Sequence, residues 1–255
     1  MKSLVRTFAR KAGYDVRRLH KSPSGGKTLV HFLHIGKAAG SQILNVASQV
    51  NAKSATKKIV KHDHDFYLKH LPGGEAYFFS IRNPISRFRS GFYSRKRKGQ
   101  PRTYSEWSAS DTVSFGEFEH ANDLAESLFE PGLTGQRAWA AMKSIRHTSQ
   151  NQADWFDCVG HFLEVRPPIW ILRQEQFDSD FETFFARADL GLARDAIEVS
   201  RDKVTAHAND YTDIPPLSEK AKANLAQWYV QDIAFYDLCT AWMAAEGASN
   251  KGRTE

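Results

Sequence analysis

HFLHIGKAAGSQIL, residues 31–44, decides the fold. Val30, Phe32, Leu33 and Ile35 form an apolar run, and Gly36 to Ser41 form a turn of small residues around Lys37. Ile43, Leu44, Val46, Ala47 and Val50 then recur at helical spacing. The order is buried strand, tight turn, helix N-terminus. Free N–H groups at a helix start, with the positive end of its dipole, make a place for an anion such as phosphate. Lys37 adds a point charge within the turn. The pattern is not G-x-x-x-x-G-K-[ST], because the lysine precedes the second glycine and no Ser or Thr follows it. Taken alone, such a turn is equally a plain strand–helix connection.

AYFFSIRNPISRFRSGFYSRKRKG, residues 76–99, repeats that grammar. Tyr77, Phe78, Phe79 and Ile81 read as another buried strand, Asn83 as an N-cap and Pro84 as the first helical residue. The helix is expected to bury Ile85, Phe88 and Phe92 and to leave Arg87, Ser90 and Ser94 on another face. Arg82 at the strand end and Ser90 two turns into the helix either converge on one anion or belong to a basic, solvated helix. Together, HIGKAAGSQ and RNPISRFRSGFY resemble the sulfotransferase superfamily, whose signatures read like HIPKTGGTS and RDPVERFLSxYY. Gly36 stands where that family usually has proline, and Asn83 where it has aspartate.

The resemblance spans residues 28–240 and implies one α/β domain, P-loop-like, with a central parallel sheet flanked by helices. It also implies 3′-phosphoadenosine 5′-phosphosulfate as donor, adenosine 3′,5′-bisphosphate as product, a carbohydrate hydroxyl as acceptor, and no metal. On the family pattern the backbone of Gly36, Lys37, Ala38, Ala39, Gly40, Ser41 and Gln42, with the Ser41 hydroxyl, holds the 5′-phosphate. Arg82 and Ser90 hold the 3′-phosphate, and Lys37 meets the charge that develops on the bridging oxygen.

Between the two loops, Lys57 to Val60 begins a strand that runs into HDHDFYL, residues 62–68. Histidines at i and i+2 of an extended chain share a face, and a neutral imidazole can accept a hydroxyl proton. The same pair also suits a polar surface loop, and as a metal pair it lacks an evident third ligand. The sequence is similar here to sulfotransferases of the uronyl and heparan-sulfate 2-O type, which carry His-x-His between the same loops. That likeness implies His64 as general base, His62 assisting, and a carbohydrate or polysaccharide acceptor, acidic in those relatives; no nucleic acid partner is expected.

At 255 residues, with 41% hydrophobic and 25% charged residues, the chain suits one globular domain. Residues 1–103 carry 22 Lys and Arg against 4 acids, and the remainder 13 against 25. A basic half that contains both loops implies an anionic ligand. Cys158 and Cys239 match no metal or redox spacing and read as buried free thiols. No apolar run is long enough to span a membrane, and residues 1–19 lack a secretory signal pattern. Residues 1–26 read as a basic helix and linker, 27–245 as the domain and 246–255 as a tail. A cytoplasmic location follows, with Leu4, Val5, Phe8 and Ala12 either resting on an anionic membrane surface or packing on the domain.

Elsewhere, Arg95–Lys98 is either a helix end or a patch for an acidic acceptor, and Ser114 to Glu117 reads as a capping box opening a helix. Trp139 either stacks on a sugar or packs in the core, the core being the better reading. Phe156 to Leu163 and Ile169 to Leu172 read as strands, Arg173 and Glu175 as structural, and Asp202, Lys203, His207 and Asn209 as a polar loop. Leu217-Ser218-Glu219 opens a C-terminal helical segment. Two rival functions are a P-loop-type kinase or NTPase, for which no Walker B run is evident, and a non-enzymatic polyanion-binding module.

Overall fold

Residues 30–33 are buried and become the interior of the sheet. The computed structural model describes residues 25–101, 103–156, 161–199 and 210–251. Strand β1 (Thr28–Leu33) lies parallel to β2 (Lys57–Lys61) on one side and to β3 (Tyr77–Ile81) on the other; β4 (Ile171–Arg173) pairs with β3. The order is β2-β1-β3-β4, all parallel. Parallel neighbours require crossovers, and helix α1 (Gly40–Lys53) supplies the first, burying Ile43, Val46, Ala47 and Val50. From β1 the chain crosses to β2 on one flank, then returns to form β3 on the other. The carboxyl ends of β1 and β3 therefore flank the switch point, where open α/β sheets hold ligands.

Helices α2 (Pro84–Lys96), α3 (Ala109–Glu117), α4 (Ala121–Ser127) and α5 (Leu133–Ser144) follow β3. After the short α6 (Phe162–Val165) come β4 and α7 (Phe177–Ala188), then α8 (Glu219–Trp228) and α9 (Val230–Lys251). Phe88 and Phe92 of α2 share a second apolar cluster with Phe115, Leu124, Met142 and Leu225. Phe181 and Phe184 of α7 and Phe235, Cys239 and Met243 of α9 close the sheet's own core.

The α/β architecture agrees with the reading of the sequence, and several local expectations are corrected. Helix α3 starts at Ala109, because Ser108 and Asp111 form the capping box there; Ser114–Glu117 is its last turn. Phe162–Val165 is helical rather than strand, its phenylalanine stacked on Phe156 at 4.2 Å, so the apolar density was read with the wrong period. Arg87, Ser90 and Ser94 are buried, whereas Ile85 is only partly so. Trp139 is 44% exposed, edge-on to Trp228. The boundary at 245 falls inside α9. Cys239 is a buried free thiol; Cys158, residues 1–24, the 202–209 loop and the last four residues lie outside the described residues. Among the described residues no helix is long and apolar enough to cross a membrane.

Candidate active site

The turn after β1 is held in an uncommon shape. Lys37 and Ala39 have φ of 69° and 57°, a left-handed conformation that costs a non-glycine residue free energy and tends to persist where function requires it. Ala39 is the N-cap of α1, offers no side-chain cap, and no acid follows in the first turn. The first N–H groups of α1 are thus left to a ligand, and alternating left-handed residues turn successive N–H groups toward one concavity. Buried Ser80 of β3 donates its hydroxyl to the Ala38 carbonyl, and Arg87 Nε donates to the Gly36 carbonyl at 3.0 Å.

Two glycines fit the turn to histidines. A Cβ on Gly40 would lie 2.0 Å from His34 Nε2, and one on Gly36 would lie 2.6 Å from His147 Nδ1. Position 36 therefore takes a residue without a Cβ, since the ring of His147 occupies that space.

The second arm starts at Arg82, where β3 ends. Asn83 caps α2 as expected, accepting from the N–H groups of Ile85 at 3.1 Å and Ser86 at 3.3 Å, while Glu175 accepts from the Asn83 N–H at 2.9 Å. Arg82 Nε donates to Ser86 Oγ at 2.8 Å. Gln152 grips the Arg82 backbone, accepting from its N–H at 2.8 Å and donating to its carbonyl at 2.7 Å.

Both arms open on one cavity of about 620 Å³. Lys37, Ala39, Gly40, Ser41, Gln42, Arg82, Ser90 and His64 all line it. Gly36 and Ala38 stand behind that wall and support it. Lys61 and Arg146 add positive charge, and no carboxylate lines the cavity among the described residues. Burial, then the charges of Arg82, Arg97 and Arg87, push the Lys37 ammonium down to about 7. A cationic cluster that depresses its own lysine is one that an anion would relieve.

The two histidines of HDHD part company. Strand β2 ends at Lys61 and the chain turns at 64–65, so the extended geometry that would align them is absent. His64 Nδ1 lies 2.9 Å from the His34 carbonyl. A carbonyl only accepts, so Nδ1 carries the proton and Nε2 keeps its lone pair. Burial lowers the His64 pKa, the bond to His34 opposing it. His62 instead pairs its Nε2 with His31 Nδ1 at 2.8 Å and stacks on Phe66 at 3.7 Å. It is not on the cavity wall, and the expectation that it assists His64 is corrected: its ring supports the end of the sheet.

The basic run at the C-terminal end of α2 is largely spent on internal pairs. Arg95 meets Asp111 at 2.6 Å, Lys96 meets Glu119 at 2.7 Å and Lys98 meets Glu106 at 2.5 Å. Arg173 and Glu175 are structural, as read, the former paired with Asp180 at 2.8 Å. Sequence reasoning missed His34, His147, Arg146 and Tyr211, which also line the cavity. His34 was in plain sight in the decisive stretch; the other three lie far along the chain, and only tertiary structure brings them in. A scan of the chain against protein-family models and a search of curated proteins both find no match.

Proposed function

We propose that the chain transfers a sulfuryl group from 3′-phosphoadenosine 5′-phosphosulfate to a carbohydrate hydroxyl, as the resemblance of its two loops implies. What carries the reading is the meeting of four features on one cavity: a helix N-terminus, Lys37, the Arg82–Ser90 pair, and His64 with Nε2 unprotonated. The acceptor oxygen attacks sulfur while the bond from sulfur to the 5′-phosphate oxygen breaks, and the hydroxyl proton passes to His64 Nε2. The leaving oxygen gains charge as part of adenosine 3′,5′-bisphosphate, where the Lys37 ammonium and the N–H groups of the turn stabilise it. Arg82 and Ser90 take the 3′-phosphate, which ATP lacks.

Phosphoryl transfer with magnesium would want a carboxylate beside the nucleotide, and none lines the cavity among the described residues. A polyanion binder needs charge but neither the left-handed turn nor an oriented imidazole. Thermal denaturation separates the three readings. Adenosine 3′,5′-bisphosphate at a hundred times its Kd contributes about 2.7 kcal/mol, which raises Tm by roughly 5–10 °C for a chain of this size. ATP–magnesium and heparin should give smaller shifts at matched concentration. A larger shift with either of them would overturn the proposal.

A further inference from the structure

His147 stands just after α5 at φ 74°. Its backbone is held from behind: the buried Thr148 hydroxyl lies 2.7 Å from the Met142 carbonyl and 2.9 Å from that of Ile145. The buried Tyr229 hydroxyl donates to the Thr148 carbonyl at 2.7 Å. Room for the side chain comes from two glycines on separate elements. A Cβ on Gly36 would sit 2.6 Å from His147 Nδ1, and one on Gly91 of α2 would sit 3.3 Å from the His147 Cβ. The ring lines the cavity beside Lys37 and lies edge-on to His64 at 5.6 Å, yet it makes no hydrogen bond to the described residues. Burial, then the Lys37 ammonium, hold it neutral well below its ordinary range.

An imidazole placed at the cost of a strained backbone and two cleared Cβ positions, with no hydrogen-bond partner among the described residues, is provided for a ligand. We propose that His147 touches the transferred sulfuryl group, donating an imidazole N–H to one of its non-bridging oxygens. The inference rests on the sulfuryl-transfer reading of the cavity. A neutral donor suits this place, since it adds a hydrogen bond without adding to the repulsion that Lys37 already meets from its arginines.

Calorimetric titration with adenosine 3′,5′-bisphosphate and with 3′-phosphoadenosine 5′-phosphosulfate isolates the sulfuryl group. The variants are His147→Asn, whose residue tolerates the left-handed backbone, and His147→Gln, which keeps an N–H at similar reach. In His147→Asn the bisphosphate should bind within about twofold of wild type, while the donor weakens roughly ten- to a hundredfold, the range for a hydrogen bond to a charged group. His147→Gln should recover part of the loss. Equal losses for both ligands would make His147 a mere wall of the turn, and unchanged donor affinity would remove it from the site; either overturns the proposal. A wild-type chain that binds neither nucleotide overturns the sulfuryl-transfer reading instead.

Discussion

Nucleotide binding should draw a proton from solution, and Lys37 should be where it goes. In the free chain its ammonium titrates near 7 because it is buried among Arg82, Arg97 and Arg87. Two phosphate groups in the cavity reverse that balance and return the group to its charged form. At pH 8 a lysine with that value is about one-tenth protonated, so binding takes up about 0.9 proton; at pH 7 it takes up about 0.5, and near pH 6 almost none. The sign is fixed: the complex holds the extra proton, so affinity falls as pH rises above 7, approaching tenfold per unit. The phosphates are already fully ionised at pH 8, since their second pKa is about 6, and contribute no compensating release. Calorimetry in buffers of different ionisation enthalpy reads the uptake directly. Lys37→Arg, charged throughout, should bind with no uptake and a flat pH dependence. Wild-type binding without uptake at pH 8, or the same uptake in Lys37→Met, refutes the assignment.

Three further outcomes follow from the same geometry. His64→Gln should abolish most turnover, measured with labelled donor and a panel of carbohydrate acceptors, while bisphosphate affinity stays within a few-fold. In the wild type the acid limb of the rate profile should fall below the usual 6.5, because burial lowers the His64 pKa; a limb above 6.5 places the base elsewhere. Arg82→Ala or Ser90→Ala should cut the preference for the 3′-phosphorylated nucleotide over its 3′-hydroxyl analogue by roughly tenfold or more, as one charge-assisted contact would, and equal weakening of both ligands would mean that α2 itself was damaged. Stability should decline as pH falls from 6.5 toward 4, because burial and the charge of His31 push His62 down to about 4 while the unfolded chain protonates near 6.5. Discounted for partial exposure, His62 contributes about 1–2 kcal/mol of that loss, and denaturant melts of His62→Gln should show a shallower decline.

What was legible in the sequence is what local chemistry dictates. The apolar runs of β1 and β3, the small-residue turn and the Asn83-Pro84 start each carry their instruction within a few residues, and each formed as read. The alternation rule failed at His62 and His64 because it holds only while the chain stays extended, and β2 ends one residue earlier. Trp139 was assigned to the core on side-chain type alone, and type does not report which face of α5 is covered. His147 had no local signal, since its meaning lies in Gly36, more than a hundred residues upstream.

Arg87 shows that α2 is not simply a basic, solvated helix. A guanidinium 1% exposed, with Asp232 as far as 3.9 Å away, is a poor device for stability, because desolvating both ions costs about as much as their attraction returns. Its other contacts give it a different use. Nε holds the Gly36 carbonyl and Nη1 the Gln150 carbonyl, while Asp232 accepts from the Gln152 N–H at 2.5 Å. Gln152 in turn grips both backbone groups of Arg82. One buried network thus runs from the turn after β1 to the residue after β3, joining the two arms of the cavity. A hydrophobic replacement of similar volume can be neutral for folding and still release Gly36, because no apolar group can hold its carbonyl. The separation between the two arms of the cavity is therefore set by buried hydrogen bonds and one buried ion pair, in a protein that has spent a charged pair on registry.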